Sequence, residues 1–191
     1  MDTAYAYNRW TDALAERLQE DGFFNVTVNN QGIGGNAVLS GGLGPPLLDR
    51  YLPDALEQTG VTHVMVFEGV NDIGGSAPDG KTQKKLFADL KEAYMKIVKD
   101  CKAQGLVTIG ATITPFGNNT MYYHPAREAT RKQVNEWILT SGTFDLTVDF
   151  SAALADGEQL RTEYDSGDFL HPNVAGYKEL ARNVPLDMFL G

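Results

Sequence analysis

Three short blocks in this chain carry residue types that together suit acyl chemistry. Gly32-Ile33-Gly34-Gly35-Asn36, Gly69-Val70-Asn71-Asp72 and Asp168-Phe169-Leu170-His171-Pro172 occur in that order. Asp168 and His171 stand three apart in a polar loop that runs into a helix. In a tight loop this spacing turns the carboxylate onto one imidazole nitrogen and leaves the other as a general base. Gly35 and Asn71 are candidates for an oxyanion hole. A glycine lets a substrate carbonyl approach a backbone N–H, and an asparagine amide donates without adding charge. Such a set is useful only with a hydroxyl or thiol to activate.

Each block also has a plainer reading. A lone Asp-x-x-His is a surface histidine beside an acid at a helix N-terminus, and Gly-rich or Asn-Asp segments are turns. The order of the blocks along one chain is what favours chemistry. Gly32 to Ala37 also satisfies G-x-G-x-x-A, the dinucleotide fingerprint. That reading needs a helix opening inside the motif, and Val38 to Pro46 is dense in helix breakers. His63 and His124 show no metal-ligand spacing with each other or with His171, so no metal and no cofactor are expected.

Composition narrows the partners. With 191 residues, 42% of them hydrophobic, the chain suffices for a single domain over 1–191 with a substantial core. A formal charge of −9 and a pI near 4.7 argue against nucleic acid or an anionic membrane surface. No apolar run is long enough for membrane insertion. The single cysteine, Cys101, excludes an internal disulfide and sits on the apolar side of a helix as a packing residue. No leader opens the chain. Asn25-Val26-Thr27 and Asn118-Asn119-Thr120 fit the glycosylation acceptor pattern and lean towards a secreted origin with the leader absent, so localisation stays open.

The elements that must position these blocks follow from periodicity. Buried strands are expected at Phe24–Val28, His63–Phe67, Leu106–Thr112 and Leu146–Phe150. Trp10, Leu14 and Leu18 mark a first amphipathic helix. Leu86, Leu90, Ala93, Tyr94, Ile97 and Cys101 mark a long one over roughly Thr82–Ala103. Pro125 suits the first turn of a helix carrying Val134, Trp137 and Ile138. Asn173 is a good N-cap for a last helix with Val174, Tyr177 and Leu180. Alternation of helices with continuous apolar strands means an α/β fold with a parallel sheet covered on both faces. Yet the order opens on a helix, which normally returns from a preceding strand, so the first strand is missing from the chain.

Taken together, the blocks resemble those of the SGNH, or GDSL-type, hydrolase family. The resemblance covers nearly the whole chain and includes Asn8-Arg9-Trp10, Thr114-Pro115-Phe116-Gly117 and Ser166-Gly167-Asp168. It implies a flavodoxin-like three-layer α/β/α sandwich and hydrolysis of esters, with acetyl or short acyl groups on carbohydrate or lipid as substrates. By position it makes Gly35 and Asn71 the oxyanion donors, His171 the base and Asp168 its orienter. The departure is at the start, where the family's Gly-Asp-Ser block has no counterpart. Thr3, Ser40 and Ser166 are poor substitutes, because none sits on the strand-to-helix elbow that presents a nucleophile. The expectation is therefore an N-terminally incomplete serine ester hydrolase without its nucleophile. The alternative is a non-catalytic ligand-binding module on the same fold. The slot of the missing strand is expected to be filled by the N-terminal residues, by direct pairing of its neighbours, or by strand exchange within a homodimer.

Overall fold

The computed structural model describes residues 7–190. They form two compact units, one of Gln31–Ile113 with Thr120–Asp149, the other of 7–30, Thr114–Asn119 and 150–190.

The first unit is built on a parallel sheet. Strands β1 (His63–Val66), β2 (Val107–Ala111) and β3 (Leu146–Val148) lie in the order β1-β2-β3. His63 pairs with Val107 and Val66 with Gly110, while Ile109 pairs with Leu146 and Ala111 with Val148. Parallel neighbours need a long crossover, and here each is a helix. Helix α4 (Gly80–Ala103) joins β1 to β2, and α5 (Pro125–Thr140) joins β2 to β3. Asp79 caps α4 by accepting from the N–H of Lys81 and Thr82. The expected stripe from Leu86 to Cys101 is its buried face. Cys101 is a free, buried thiol pushed up to about 11 by that burial. Pro125 opens α5, where a missing N–H costs nothing, and the His124 side chain accepts from the N–H of Ala126. Short helices α2 (Leu47–Tyr51) and α3 (Val70–Gly75) complete the unit, α2 running on as a π-helical turn over Leu52–Leu56.

The second unit pairs helices. Helix α1 (Trp10–Glu20) packs on α7 (Val174–Arg182), burying Leu14 and Leu18 on one side and Leu180 and Ala181 on the other. Arg17 Nη1 donates to the carbonyls of Ala181, Arg182 and Val184 at 2.9, 2.9 and 2.7 Å, satisfying the open C-terminus of α7. Trp10 meets Phe150 edge-on at 5.5 Å. Phe150 begins α6 (Phe150–Leu154), which leads into a small antiparallel pair, β4 (Ala155–Asp156) and β5 (Gln159–Leu160). Asn173 caps α7 as expected, its side chain accepting from the Gly176 N–H.

Two expectations are corrected. Phe24–Val28 forms no strand: Val26 and Val28 are half-buried between exposed neighbours, but no ladder joins the segment to another, and Phe24 is 76% exposed. Alternation alone makes extended chain; only a paired edge makes a strand. The strand expected over Leu146–Phe150 stops at Val148, because Phe150 turns inward to start α6. No helix opens within Gly32–Ala37; the next begins at Leu47. Thr3, and any filling of a strand slot by the first six residues, lie outside the described residues.

Candidate active site

The Asp168–His171 loop belongs to the helix-paired unit and is held almost entirely by its own backbone. Asp168 Oδ1 accepts from the N–H of Leu170 and His171 at 3.0 and 2.8 Å and from the Ser166 hydroxyl at 3.2 Å. Its Oδ2 meets His171 Nδ1 at 2.5 Å. Phe169 N–H turns back to Asp165 Oδ1 at 2.9 Å, and Ser166 N–H donates to the His171 carbonyl at 3.0 Å. Closing the loop puts Phe169 at φ +57, a conformation that a bulky side chain rarely adopts and that clusters at functional sites. Asn119 supports the loop from outside, donating to the Asp168 carbonyl at 2.8 Å. Partial burial opposes ionisation of Asp168, but the His171 N–H and ring and the Leu170 N–H outweigh it and hold the carboxyl down to about 2. A permanently ionised Asp168 thus fixes Nδ1 of His171. No described residue hydrogen-bonds the opposite nitrogen, Nε2.

The candidate donors lie together in the sheet unit. Gly69, three residues past the end of β1, adopts φ +114, and a Cβ there would lie 2.6 Å from the Tyr94 hydroxyl, which donates to the Glu68 carbonyl at 2.8 Å. That turn starts α3 and lifts Asn71 to the C-terminal end of the sheet, the edge where open α/β sheets bind ligands. Asn71 Nδ2 donates to the Asn36 carbonyl at 2.7 Å, joining the Asn-Asp block to the glycine block. Asp72, itself buried, accepts from the N–H of Val38 and Leu39 at 2.8 and 3.0 Å. Burial raises its carboxyl above the usual range despite those two donors. Gly35 takes φ +76, and its carbonyl accepts from Leu43 at 2.8 Å; its N–H has no partner among the described residues. The structure therefore brings Gly35 and Asn71 onto one loop-and-helix frame.

Several residues of this frame were not singled out from the sequence. Asn36 is fully buried and spends its side chain inside its own loop: Nδ2 donates to the Leu43 and Pro45 carbonyls, and Oδ1 accepts from Arg50. Arg50 also reaches the Gln31 carbonyl at 2.7 Å and Asp54 at 2.8 Å. Tyr122 donates its hydroxyl to Asn71 Oδ1 at 2.7 Å. Of the rejected nucleophiles, Ser166 bonds the carboxylate of Asp168 rather than the base, and Ser40 is exposed on the glycine loop. Among the described residues no group of three or more His, Cys, Asp or Glu side chains is placed to hold a metal, and no helix is long and apolar enough to cross a membrane.

The sequence model of the GDSL-like lipase/acylhydrolase family matches residues 2–179, which takes in all three blocks. The chain belongs to this family. GDSL-family structures share the fold. A member of the lipolytic protein G-D-S-L family from Veillonella parvula DSM 2008 superposes with a TM-score of 0.68 at 18% identity, over 96% of this chain and 88% of that one. An acetyl xylan esterase from Geobacillus stearothermophilus gives 0.67 at 24% identity, over 92% and 78%. A GDSL-like lipase from Bacteroides thetaiotaomicron gives 0.64 at 16% identity, over 91% and 80%. No curated protein matches. At these identities the likeness carries the fold, and membership of the GDSL-like family rests on the sequence match. The shared architecture is the expected one: mixed α/β with a parallel sheet flanked by helices.

Proposed function

We propose that this chain is the body of a serine-type ester hydrolase that removes acetyl or short acyl groups, with acetylated carbohydrate as its substrate class. The observation that carries the reading is the Asp168–His171 pair. Its carboxylate is locked by backbone donors, its Nδ1 is engaged at 2.5 Å, and its Nε2 is bonded to no described residue. This arrangement fixes the tautomer that a general base requires and stabilises the imidazolium formed when it takes a proton. Family membership and the acetyl xylan esterase among the structural relatives support the acyl-ester class.

In the proposed reaction a serine hydroxyl attacks the ester carbonyl while His171 Nε2 accepts its proton. The Gly35 N–H and the free N–H of the Asn71 amide hold the oxyanion that develops on the carbonyl oxygen. Collapse expels the alcohol, which takes the proton from His171. Water, activated by the same histidine, then releases the acid. The attack is assigned to no serine of residues 7–190. No step calls for a cofactor.

The test is hydrolysis of an aryl acetate by the 191-residue chain and by the same chain extended with a strand ending in Gly-Asp-Ser. The extended protein should be faster by orders of magnitude and should lose that gain in His171→Ala and Asp168→Asn variants. A residual rate common to all of them fits oxyanion donors acting alone, worth roughly 10³-fold over water in triad enzymes. An extended, folded protein with no His171-dependent turnover would sink the enzyme reading and leave a ligand-binding module.

A further inference from the structure

Accepting that Asn71 serves as an oxyanion donor, we infer that Tyr122 is its positioning residue: the tyrosine hydroxyl anchors the amide oxygen and holds the orientation that the Asn36 carbonyl sets. An asparagine side chain is nearly symmetric in shape, and a half-turn exchanges its donor for its acceptor. A donor that flips is a poor oxyanion donor, since the wrong state presents an oxygen to the developing charge. Here the Asn36 carbonyl sets the orientation and the Tyr122 hydroxyl holds the amide in it. The Asn36 carbonyl only accepts, so the group 2.7 Å from it is Nδ2. Oδ1 then faces Tyr122, whose hydroxyl donates to it at 2.7 Å. One N–H of the amide is consumed by Asn36, and the second is left for substrate. Burial raises the Tyr122 hydroxyl above its ordinary value against the pull of Arg127, so it stays protonated as this donation demands.

The remaining surroundings of Tyr122 are built for this placement. Its ring lies against Gly74 of α3, where a Cβ would come within 1.9 Å of ring Cδ1 and 2.3 Å of Cε1. Only a glycine admits the ring there. Arg127 of α5 then ties the tyrosine's loop to the end of the same helix. Its Nε and Nη2 donate to the Ser76 carbonyl at 2.9 and 2.5 Å, and Nη1 donates to the carbonyls of Met121 and Tyr122 at 3.0 and 3.1 Å. Asn71, Gly74 and Ser76 all lie on or directly after α3, so one short helix receives the hydroxyl, the ring and the clamp. A ring that merely filled space would need none of the hydroxyl geometry.

Two measurements test this, and they fail separately. In ¹⁵N-labelled 191-residue protein, the Asn71 side-chain amide pair is assigned by its loss in Asn71→Asp. Tyr122→Phe, which keeps the ring, should move that pair towards free-asparagine shifts and raise its solvent exchange by about tenfold, the loss expected for one part-buried hydrogen bond of ~1.4 kcal/mol. Gly74→Ala, which keeps the hydroxyl but displaces the ring, should do the same. An unchanged Asn71 amide in Tyr122→Phe overturns the inference whatever the activity. In the form carrying Gly-Asp-Ser, Tyr122→Phe should lower kcat by about ten- to a hundredfold with KM within about twofold, as a misplaced catalytic group does. It should add nothing to Asn71→Ala, because it acts through that residue. Additive losses, or a change in KM alone, would also overturn it. If that form has no activity, the proposed function fails while the amide spectrum still decides the role of Tyr122.

Discussion

Glu68 is a half-buried titratable group that the proposed reaction does not use, and replacing it with glutamine should reshape the pH dependence of stability. It follows β1, its backbone carbonyl engaged by Tyr94 and its carboxyl sunk towards Arg50 and Asp72. Desolvation pushes it up to about 7 from an ordinary 4.5. Arg50 and the Gly69 N–H pull the other way, and the neighbouring Asp72 adds to the rise. Arg50 gives limited relief because its donors already serve Asn36, Gln31 and Asp54. Between pH 4.5 and 7 the folded protein therefore holds a proton at Glu68 that the unfolded chain has released. Folding is favoured where that proton is bound, so the contribution is complete below about 4.5 and is lost as pH rises through about 7. The difference between 4.5 and about 7 corresponds to on the order of 3 kcal/mol, at ~1.36 kcal/mol per pH unit. In urea unfolding followed by tryptophan fluorescence, the stability of Glu68→Gln minus that of the parent should climb by about this amount from pH 4.5 to 8. Asp72, also raised, leaves part of the slope in both proteins. Asp168, held down to about 2, titrates below the window. Curves that stay parallel within ~0.5 kcal/mol would show that Glu68 ionises freely and that the cluster with Arg50 and Asp72 does not bury its charge.

Two further outcomes follow from the same frame. Asp72→Ala strands the buried N–H of Val38 and the part-buried N–H of Leu39 and should cost roughly 3 kcal/mol by urea unfolding; a loss below ~1 kcal/mol would mean the glycine loop does not depend on it. Arg131→Met removes the guanidinium that pairs with buried Glu128 and donates to the Ile113 carbonyl, at a cost of about 3 kcal/mol, and the double variant with Glu128→Leu should recover most of it. A double variant no better than the single one would place the cost in the lost Ile113 contact rather than in a Glu128 left with Lys132 alone.

What could be read from the sequence is what is local. Asp168 and His171 are three residues apart, and the loop that joins them is closed by Asp165, Ser166 and backbone N–H groups within the same stretch. The helices were legible because an apolar stripe recurs within one element, as in α4, and because caps such as Asn173 are adjacent to what they cap. Phe24–Val28 misled because a strand is a relation between two segments, and its own alternation says nothing about a partner. Leu146–Phe150 misled at its end for a related reason. Phe150 is apolar enough for a buried strand, but its burial is against Trp10, far away in sequence.

The frame around the candidate oxyanion donors shows where local reading stops. Gly35 and Asn71 were nameable because glycine and asparagine have chemistry of their own, but what places them is long-range. Asn71 meets Asn36 across 35 positions and Tyr122 across 51, and Asp72 meets Val38 across 34. No spacing rule connects such residues. Each, however, answers a question that the sequence already poses. A backbone N–H left open for substrate requires neighbouring N–H groups to be satisfied elsewhere, which Asp72 does for Val38 and Leu39. An amide used as a donor requires its oxygen to be occupied, which Tyr122 does. A glycine loop held open for a ligand requires internal ties, which Asn36 and Arg50 provide. The two candidate half-sites thus differ in kind: the base is fixed by its own loop, while the donors are fixed by residues drawn from four separate stretches of chain. Substitutions far from any motif, at Tyr122, Arg50 or Arg127, should therefore impair oxyanion stabilisation before they disturb the Asp168–His171 pair.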